Sequence, residues 1–186
     1  MSQAAAPMAA FSTAFAAAFA DVIGAEGGYT DDPADPGNWT GGACGRGVCR
    51  GTNWGISAAA YPTLDIAGLS EDAAQAIYRR DYWAPLQADA LPPPLALLVF
   101  DAAVNNGVGR AARWLQTAAG VAADGQVGPR TLAAVQAQSG NGAALCAEFQ
   151  AQRLVYMAAL PTWRSFGLGW ARRLCRLPFQ AMQMTN

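Results

Sequence analysis

The chain has 186 residues, of which 53% are hydrophobic and 13% charged, which is the size of one domain with a buried core. It contains no histidine and no lysine, so all twelve basic residues are arginine. These absences exclude catalysis by Ser-His or Cys-His pairs, imidazole-ligated zinc, Schiff-base lysines and P-loop lysines. Carboxylates remain as the groups for proton chemistry, and we expect no metal and no cofactor.

The net charge of −1 is unevenly divided along the chain. Residues 1–101 carry −7 and residues 102–186 carry +6. This asymmetry indicates an acidic half that contains the working site and a basic half that binds an anion or packs on the acidic half. Nucleic acid is not an expected partner, because the arginines are few and no run exceeds two. We expect a monomer.

The N-terminal segment predicts a helix over residues 8–25. Its first twenty residues are uncharged and Ala-rich, and they lack the positively charged start of a secretory signal. Apolar side chains recur at every fourth position, namely at Phe11, Phe15, Phe19 and Ile23. That spacing is typical of one face of a helix, and Gly27-Gly28 is the expected C-terminal cap.

The remainder of the chain predicts a mainly α domain with one irregular region. Residues 29–56 are rich in Gly, Asp, Pro, Asn and Thr, which favours loops and short strands. Ser70 is the expected N-cap of the helix that follows it. Helices are predicted over 71–82, 94–105, 109–119 and 129–139, with two or three more within 142–183, broken near Pro161 and Pro178.

Four cysteines permit three disulfide pairings. Cys44 and Cys49 flank a Gly-rich turn and would link a hairpin, whereas Cys146 and Cys175 would join two predicted helices. The alternative is four buried thiols in a protein of the reducing cytoplasm.

Glu26 is the first candidate for catalysis. It lies at the end of the first predicted helix, where the helix dipole is negative, and next to an apolar face. Both effects disfavour the ionised carboxylate and predict a raised pKa, which suits a general acid at neutral pH. The alternative is a solvated glutamate at a helix end.

Three sequence blocks extend from Glu26. They are Glu26-Gly27-Gly28-Tyr29, the segment 31–37 with the sequence Asp-Asp-Pro-Ala-Asp-Pro-Gly, and the segment 51–56 with the sequence Gly-Thr-Asn-Trp-Gly-Ile. Together they resemble the signature of the glycoside hydrolase family 108 muramidases, which include secretion activators. The spacing from Glu26 to Asp35 is also similar to the Glu-x8-Asp of phage-type lysozymes.

The resemblance implies a lysozyme-like fold with a small β-hairpin beside the active site. It implies that Glu26 is the general acid, and that Asp35 and Thr52 take the places of the water-side carboxylate and hydroxyl. An inserted segment, 38–50, leaves Thr40 as an alternative to Thr52. Asp31 and Asp32 remain rivals of Asp35, although a turn or rim position suits them better.

The second half of the chain continues the resemblance. The segment 100–107, Phe-Asp-Ala-Ala-Val-Asn-Asn-Gly, resembles the central helix of the family, and later blocks resemble its predicted peptidoglycan-recognition region. The implied organisation is a single domain, 1–186, with a catalytic half over 8–101 and a recognition half over 102–186. Substrate contacts are expected from Tyr29 and Trp54 by stacking and from Asn105 and Asn106 by hydrogen bonds to N-acetyl groups, although core packing and helix capping are the alternatives.

The implied activity is hydrolysis of the β-1,4 bond between N-acetylmuramic acid and N-acetylglucosamine in peptidoglycan. The alternatives are a lytic transglycosylase that uses Glu26 alone, and a non-catalytic peptidoglycan-binding module. Without a visible signal peptide, we expect synthesis in the cytoplasm and action in the periplasm or cell wall. Delivery would then involve a holin or a secretion apparatus, and an immunity protein is a further conceivable partner.

Overall fold

The structure is a computed structural model that describes residues 12–24 and 28–183. The described residues form a mainly α fold with one two-stranded antiparallel hairpin, as the sequence predicts. The helices are α1 Thr13–Val22, α2 Glu71–Tyr78, α3 Pro93–Asn106, α4 Val108–Ala118, α5 Pro129–Ala137, α6 Gly142–Ala158 and α7 Trp163–Gln183. The strands are β1 Thr52–Asn53 and β2 Ile56–Ser57. None of the described helices is long and apolar enough to cross a membrane.

Helix α3 lies at the centre of the core. Every residue from 95 to 103 is buried, because α1, α4, α6 and α7 all pack on this helix. An aromatic cluster joins α1 to α3, with the rings of Phe15 and Phe100 5.9 Å apart and both in edge contact with Trp83. Each such buried ring contributes about 1.5–3 kcal/mol of hydrophobic stabilisation.

Asp101, in the middle of α3, is the one carboxylate in the buried core of the described chain. Arg153 of α6 donates to it from Nη1 over 2.8 Å, and Arg173 of α7 donates from Nε over 2.8 Å. Arg153 is also fully buried, and its Nε donates to Asn106 Oδ1 at the end of α3. Burial lowers the pKa of Arg153, while Asp101 acts in the opposite direction. Because an unpaired buried charge is costly, this network requires α3, α6 and α7 to pack together.

The first helix ends earlier than predicted. Within the described residues it begins at Thr13, where the Ser12 hydroxyl accepts from Phe15 N, and residues 8–11 lie outside the described part. It ends at Val22, before the predicted end at 25. Gly24 has a φ of +43°, a left-handed conformation that cannot continue a right-handed helix.

Helix α2 begins after Ser70 as predicted, since the Ser70 hydroxyl accepts from Ala73 N. The chain then continues as a π-helical turn over Arg79–Trp83. The predicted range 71–82 is therefore helical, first as an α-helix and then as a π-helix. The helices predicted over 94–105, 109–119 and 129–139 are confirmed to within two residues at each end.

The predicted break near Pro178 is wrong. The break near Pro161 is present between α6 and α7, but α7 continues through Pro178. A proline inside a helix leaves the carbonyl four residues earlier without its N–H donor, here Leu174 O. Gln150 of α6 replaces that donor, because its Nε2 donates to Leu174 O over 3.0 Å. A neighbouring helix thus supplies the hydrogen bond that the proline removes.

This arrangement predicts coupling between Gln150 and Pro178. The substitution Gln150→Leu leaves Leu174 O without its donor and should lower the free energy of unfolding. In a Pro178→Ala background the alanine N–H binds Leu174 O, so the same substitution should cost about 1 kcal/mol less. Urea unfolding of the four proteins of this double-mutant cycle measures the coupling, and an equal cost in both backgrounds would contradict it.

Candidate active site

The candidate site lies around the hairpin and the loop before it. Glu26, with its carboxyl group, falls outside the described residues. The nearest described positions are Gly24 and Gly28. The next described segment begins at residue 28 and pairs with the hairpin. The contacts of this segment therefore define the candidate site.

Thr52 occupies the middle of a small three-segment sheet. Thr30 N donates to Thr52 O over 2.9 Å and Thr52 N donates to Thr30 O over 2.8 Å. On its other side Thr52 pairs with Ser57 across the hairpin. Side chains directly opposite in an antiparallel pair lie on the same face. The structure therefore places Thr52 beside Thr30, four residues after Glu26, and opposite a serine that the sequence analysis did not single out.

Asn38 is a buried residue that orients the Thr52 hydroxyl. It is fully inaccessible to solvent, and its Oδ1 accepts from Thr52 Oγ1 over 2.7 Å. Its Nδ2 donates to Asp32 O over 3.0 Å, and its backbone oxygen accepts from the amides of Arg50 and Gly51. Because the Thr52 proton is used in this bond, the lone pairs of Oγ1 remain free to accept from a further group.

Asp35 belongs to the same turn as Asn38. It is exposed and caps the 3₁₀ turn Pro36–Asn38, its Oδ1 accepting from Gly37 N over 2.8 Å. A Cβ at position 37 would lie 3.2 Å from Asp35 Oδ1 and 3.8 Å from Ser57 Cβ. Gly37 therefore allows the carboxylate to lie close to the hairpin. One turn thus holds Asp35 at its start and, through Asn38 at its end, the Thr52 hydroxyl.

The rival residues have structural roles in the same region. The Thr40 hydroxyl accepts from Val48 N over 3.0 Å and so holds the inserted loop together. Asp32 accepts from Ala34 N through Oδ1, an Asx turn of the kind expected of an aspartate in a loop. The backbone oxygen of Asp31 accepts from Cys49 Sγ over 3.4 Å.

The ring of Tyr29 packs against the backbone at Gly51. An added Cβ at Gly51 would be 2.6 Å from Tyr29 Cε2. Successive side chains of an extended segment point to opposite faces, so Tyr29 and Thr30 face opposite ways. The ring borders a cavity of about 430 Å³ lined by Tyr29, Cys49, Arg50, Thr63, Leu64, Asp65, Ile66 and Ala67.

Trp54 and Gly55 form the two-residue turn of the hairpin. Both have positive φ, +53° and +71°, as a type I′ turn requires. Trp54 is half-buried and packs on the core, and its carbonyl accepts from the Tyr78 hydroxyl over 3.0 Å. A bulky residue is strained in this conformation, which is a feature that functional sites retain.

Asn105 and Asn106 end α3 with their amides held in fixed directions. Asn105 Nδ2 donates to Asp101 O over 2.8 Å, which leaves its Oδ1 as an acceptor. Asn106 Oδ1 accepts from Arg153 Nε, which leaves its Nδ2 as a donor. Because a carbonyl only accepts and a guanidinium only donates, these partners determine which way each amide is turned. Asn105 is exposed and Asn106 is half-buried.

The four cysteines are free thiols in the structure, so neither pairing from the sequence analysis is formed. They are not buried thiols either, since Cys44 and Cys175 are exposed and the other two are half-exposed. Cys44 Sγ contacts Ala34 O and Cys49 Sγ contacts Asp31 O, so both lie against the loop that contains Asp35. Burial raises the pKa of Cys146 to about 11, which disfavours its reactive thiolate.

Sequence reasoning missed two residues that organise this region. Asn38 gives no local signal, because an asparagine after Pro-Gly is an ordinary turn residue. Arg153 was detectable only indirectly. A single carboxylate in the apolar run 94–104 implies a buried cationic partner, but not which arginine supplies it.

The bond between Thr52 and Asn38 predicts a stability difference between two substitutions. Thr52→Val leaves Asn38 Oδ1 buried without a donor and should cost about 1–3 kcal/mol of unfolding free energy. Thr52→Ser keeps the hydroxyl and should cost less, mainly the methyl group, about 0.8 kcal/mol. Urea unfolding of both variants measures the difference, and equal losses would show that the hydrogen bond contributes nothing.

Comparisons with known proteins identify the two halves of the chain. Residues 19–107 match the sequence model of the family Glycosyl hydrolase 108, and residues 110–175 match that of the Predicted Peptidoglycan domain. The search among curated proteins found no match. Among solved structures, SagA of Brucella abortus is similar over 91% of this chain and 94% of its own, with 33% sequence identity and a TM-score of 0.74. The chain therefore belongs to glycosyl hydrolase family 108 and combines its catalytic domain with a predicted peptidoglycan domain.

Proposed function

We propose that the chain is a muramidase that hydrolyses the β-1,4 bond between N-acetylmuramic acid and N-acetylglucosamine. The observation that supports this most is the turn that holds both Asp35 and, through Asn38, the Thr52 hydroxyl. Thr52 is in turn paired with Thr30, four residues after Glu26. A site for glycoside hydrolysis needs an acid on one side of the bond and a carboxylate with a held water on the other.

In the proposed mechanism Glu26 protonates the glycosidic oxygen as the bond to C1 breaks. A water molecule, held by the free lone pairs of Thr52 Oγ1, attacks C1 from the opposite face of the sugar. Asp35 accepts the proton of that water, so the two carboxyl groups exchange protonation states over one turnover. This scheme inverts the anomeric configuration and expects a carboxyl separation of about 6.5–9.5 Å.

The basic half and the predicted peptidoglycan domain fit a polymer with carboxylate-bearing peptide stems. We propose peptidoglycan glycan strands as the substrate and the cell wall as the place of action. We further propose a holin or a secretion apparatus for delivery, or an immunity protein as inhibitor, as protein partners.

Digestion of purified sacculi, with mass spectrometry of the released fragments, tests the chemistry. The wild type should release fragments with reducing N-acetylmuramic acid ends, and Glu26→Gln should lower the rate by about 10²–10⁴-fold. Asp35→Asn should also inactivate, whereas Asp31→Asn in the same exposed loop is the matched control and should not. Nuclear magnetic resonance of the first product should show the inverted anomer.

Other outcomes would replace this proposal. Anhydro-muramic ends, with an active Asp35→Asn variant, would indicate a lytic transglycosylase. Binding to sacculi without release of fragments by any variant would indicate a binding module. A retained anomer would keep the muramidase activity but assign Asp35 as a nucleophile.

The two asparagines at the end of α3 suggest how the N-acetyl group is recognised. Asn105 offers an acceptor and Asn106 a donor, the complement of the N–H and the carbonyl of an acetamido group. Asn105→Ala should therefore raise KM about tenfold on N-acetylated strands, with little change in kcat. On de-N-acetylated strands the same variant should equal the wild type. An equal loss on both substrates would assign Asn105 to capping of α3 alone.

A further inference from the structure

Exposed apolar side chains concentrate on two neighbouring helices, α6 and α7. Among the described residues eight large apolar side chains are exposed, and six of them belong to α6 or α7. These six are Leu154, Val155, Phe166, Leu168, Phe179 and Met182. Single exposed apolar residues are ordinary, but a concentration of this kind marks an interaction surface.

Helix α7 has an inner and an outer face. Its inner face is buried through Gly167, Leu174, Leu177 and Ala181. Leu168, Arg172, Cys175 and Phe179 recur at intervals of four, three and four residues, and all four are exposed, so they form one outward stripe, here called the outer stripe. Leu168 and Phe179 are 67% and 66% exposed.

The charged residues of α7 are all positive. Helix α7 contains four arginines and no acidic residue. Arg173 points inward to Asp101, whereas Arg164, Arg172 and Arg176 are exposed and form no ion pair within the described part of the chain. The surface therefore favours an anionic partner that also accepts apolar side chains.

Three classes of partner differ in how well they combine negative charge with a site that can bury apolar side chains. A second copy fits poorly: stripe-to-stripe pairing would bring arginines together, and the described part of the acidic half exposes only two large apolar side chains, Tyr29 and Val48. Peptidoglycan supplies carboxylates but no surface into which leucine and phenylalanine can be buried. A phospholipid surface supplies both an anionic headgroup layer and acyl chains.

We propose that the outer face of α7 docks on an anionic phospholipid membrane. Leu168 and Phe179 enter the boundary between headgroups and acyl chains, and Arg164, Arg172 and Arg176 contact the lipid phosphates. The helix lies parallel to the membrane plane. This inference rests on the described residues of α7 and not on the proposed muramidase chemistry.

Cosedimentation of the full chain with vesicles tests the proposal. The probes are vesicles of phosphatidylglycerol and phosphatidylcholine in equal parts, and vesicles of phosphatidylcholine alone. We expect binding to the anionic vesicles, weakened by salt, and little binding to the neutral ones. The double variants Leu168→Ser/Phe179→Ser and Arg172→Gln/Arg176→Gln should each lower the affinity about tenfold or more.

Matched controls distinguish the contribution of the outer stripe from that of exposed apolar residues and arginines elsewhere on the surface. Val48→Ser removes an exposed apolar side chain outside the stripe, and Arg130→Gln removes an exposed arginine of α5; both should bind as the wild type does. Glu26→Gln should bind vesicles normally even if it no longer digests sacculi. Both stripe variants should keep the wild-type urea midpoint, and Leu168→Ser/Phe179→Ser should digest detergent-washed sacculi at the wild-type rate.

Several results would overturn the proposal. They are equal binding to both vesicles, no binding to either, or unchanged binding of the stripe variants. A dimer in light scattering that the stripe variants lose, without vesicle binding, would assign the face to a second copy instead. Loss of sacculus binding by the stripe variants, again without vesicle binding, would assign it to peptidoglycan.

Discussion

The packing of α3, α6 and α7 depends on the charge of Asp101. This carboxylate is fully buried in α3, the helix on which most of the others pack. Arg153 from α6 and Arg173 from α7 both bind it. Loss of one partner would leave a buried charge unpaired, which typically costs several kcal/mol. The same arginine that neutralises Asp101 also turns the amide of Asn106. The buried contacts between α3, α6 and α7 and the polar end of α3 are therefore one connected arrangement.

A comparable role belongs to Asn38 in the hairpin region. The hairpin strands are only two residues long, too short to be stable through their own hydrogen bonds. The buried side chain of Asn38 binds the Asp32 carbonyl and the Thr52 hydroxyl, and its backbone oxygen accepts from the amides of residues 50 and 51. These bonds fix the position of the loop with Asp35 relative to the strand with Thr52. A site that aligns a water with a sugar carbon requires such rigidity.

The uneven charge of the chain corresponds to a division of surfaces. The acidic half contains the candidate catalytic carboxylates, and its described residues include few exposed apolar side chains. The basic half contains the predicted peptidoglycan domain and exposes arginines and apolar residues on α7. If the proposed membrane contact and the proposed hydrolysis both hold, the enzyme would work on glycan strands close to a lipid surface. Each proposal is tested by variants that leave the other unaffected.

Features that depend on neighbours within one helical turn were predictable from the sequence alone. The apolar spacing in the described part of α1 and the Ser70 cap of α2 are of this kind, because capping and periodicity act over three or four residues. Partners far apart in the chain were not predictable: Thr52 binds Asn38 fourteen residues away, and Arg153 binds Asp101 across 52. Pro178 shows both sides of this division. Its ring predicts a break by local rules, yet Gln150, on another helix, supplies the hydrogen bond that lets α7 continue. Which buried polar group meets which partner depends on how the helices pack, and local sequence does not contain that information.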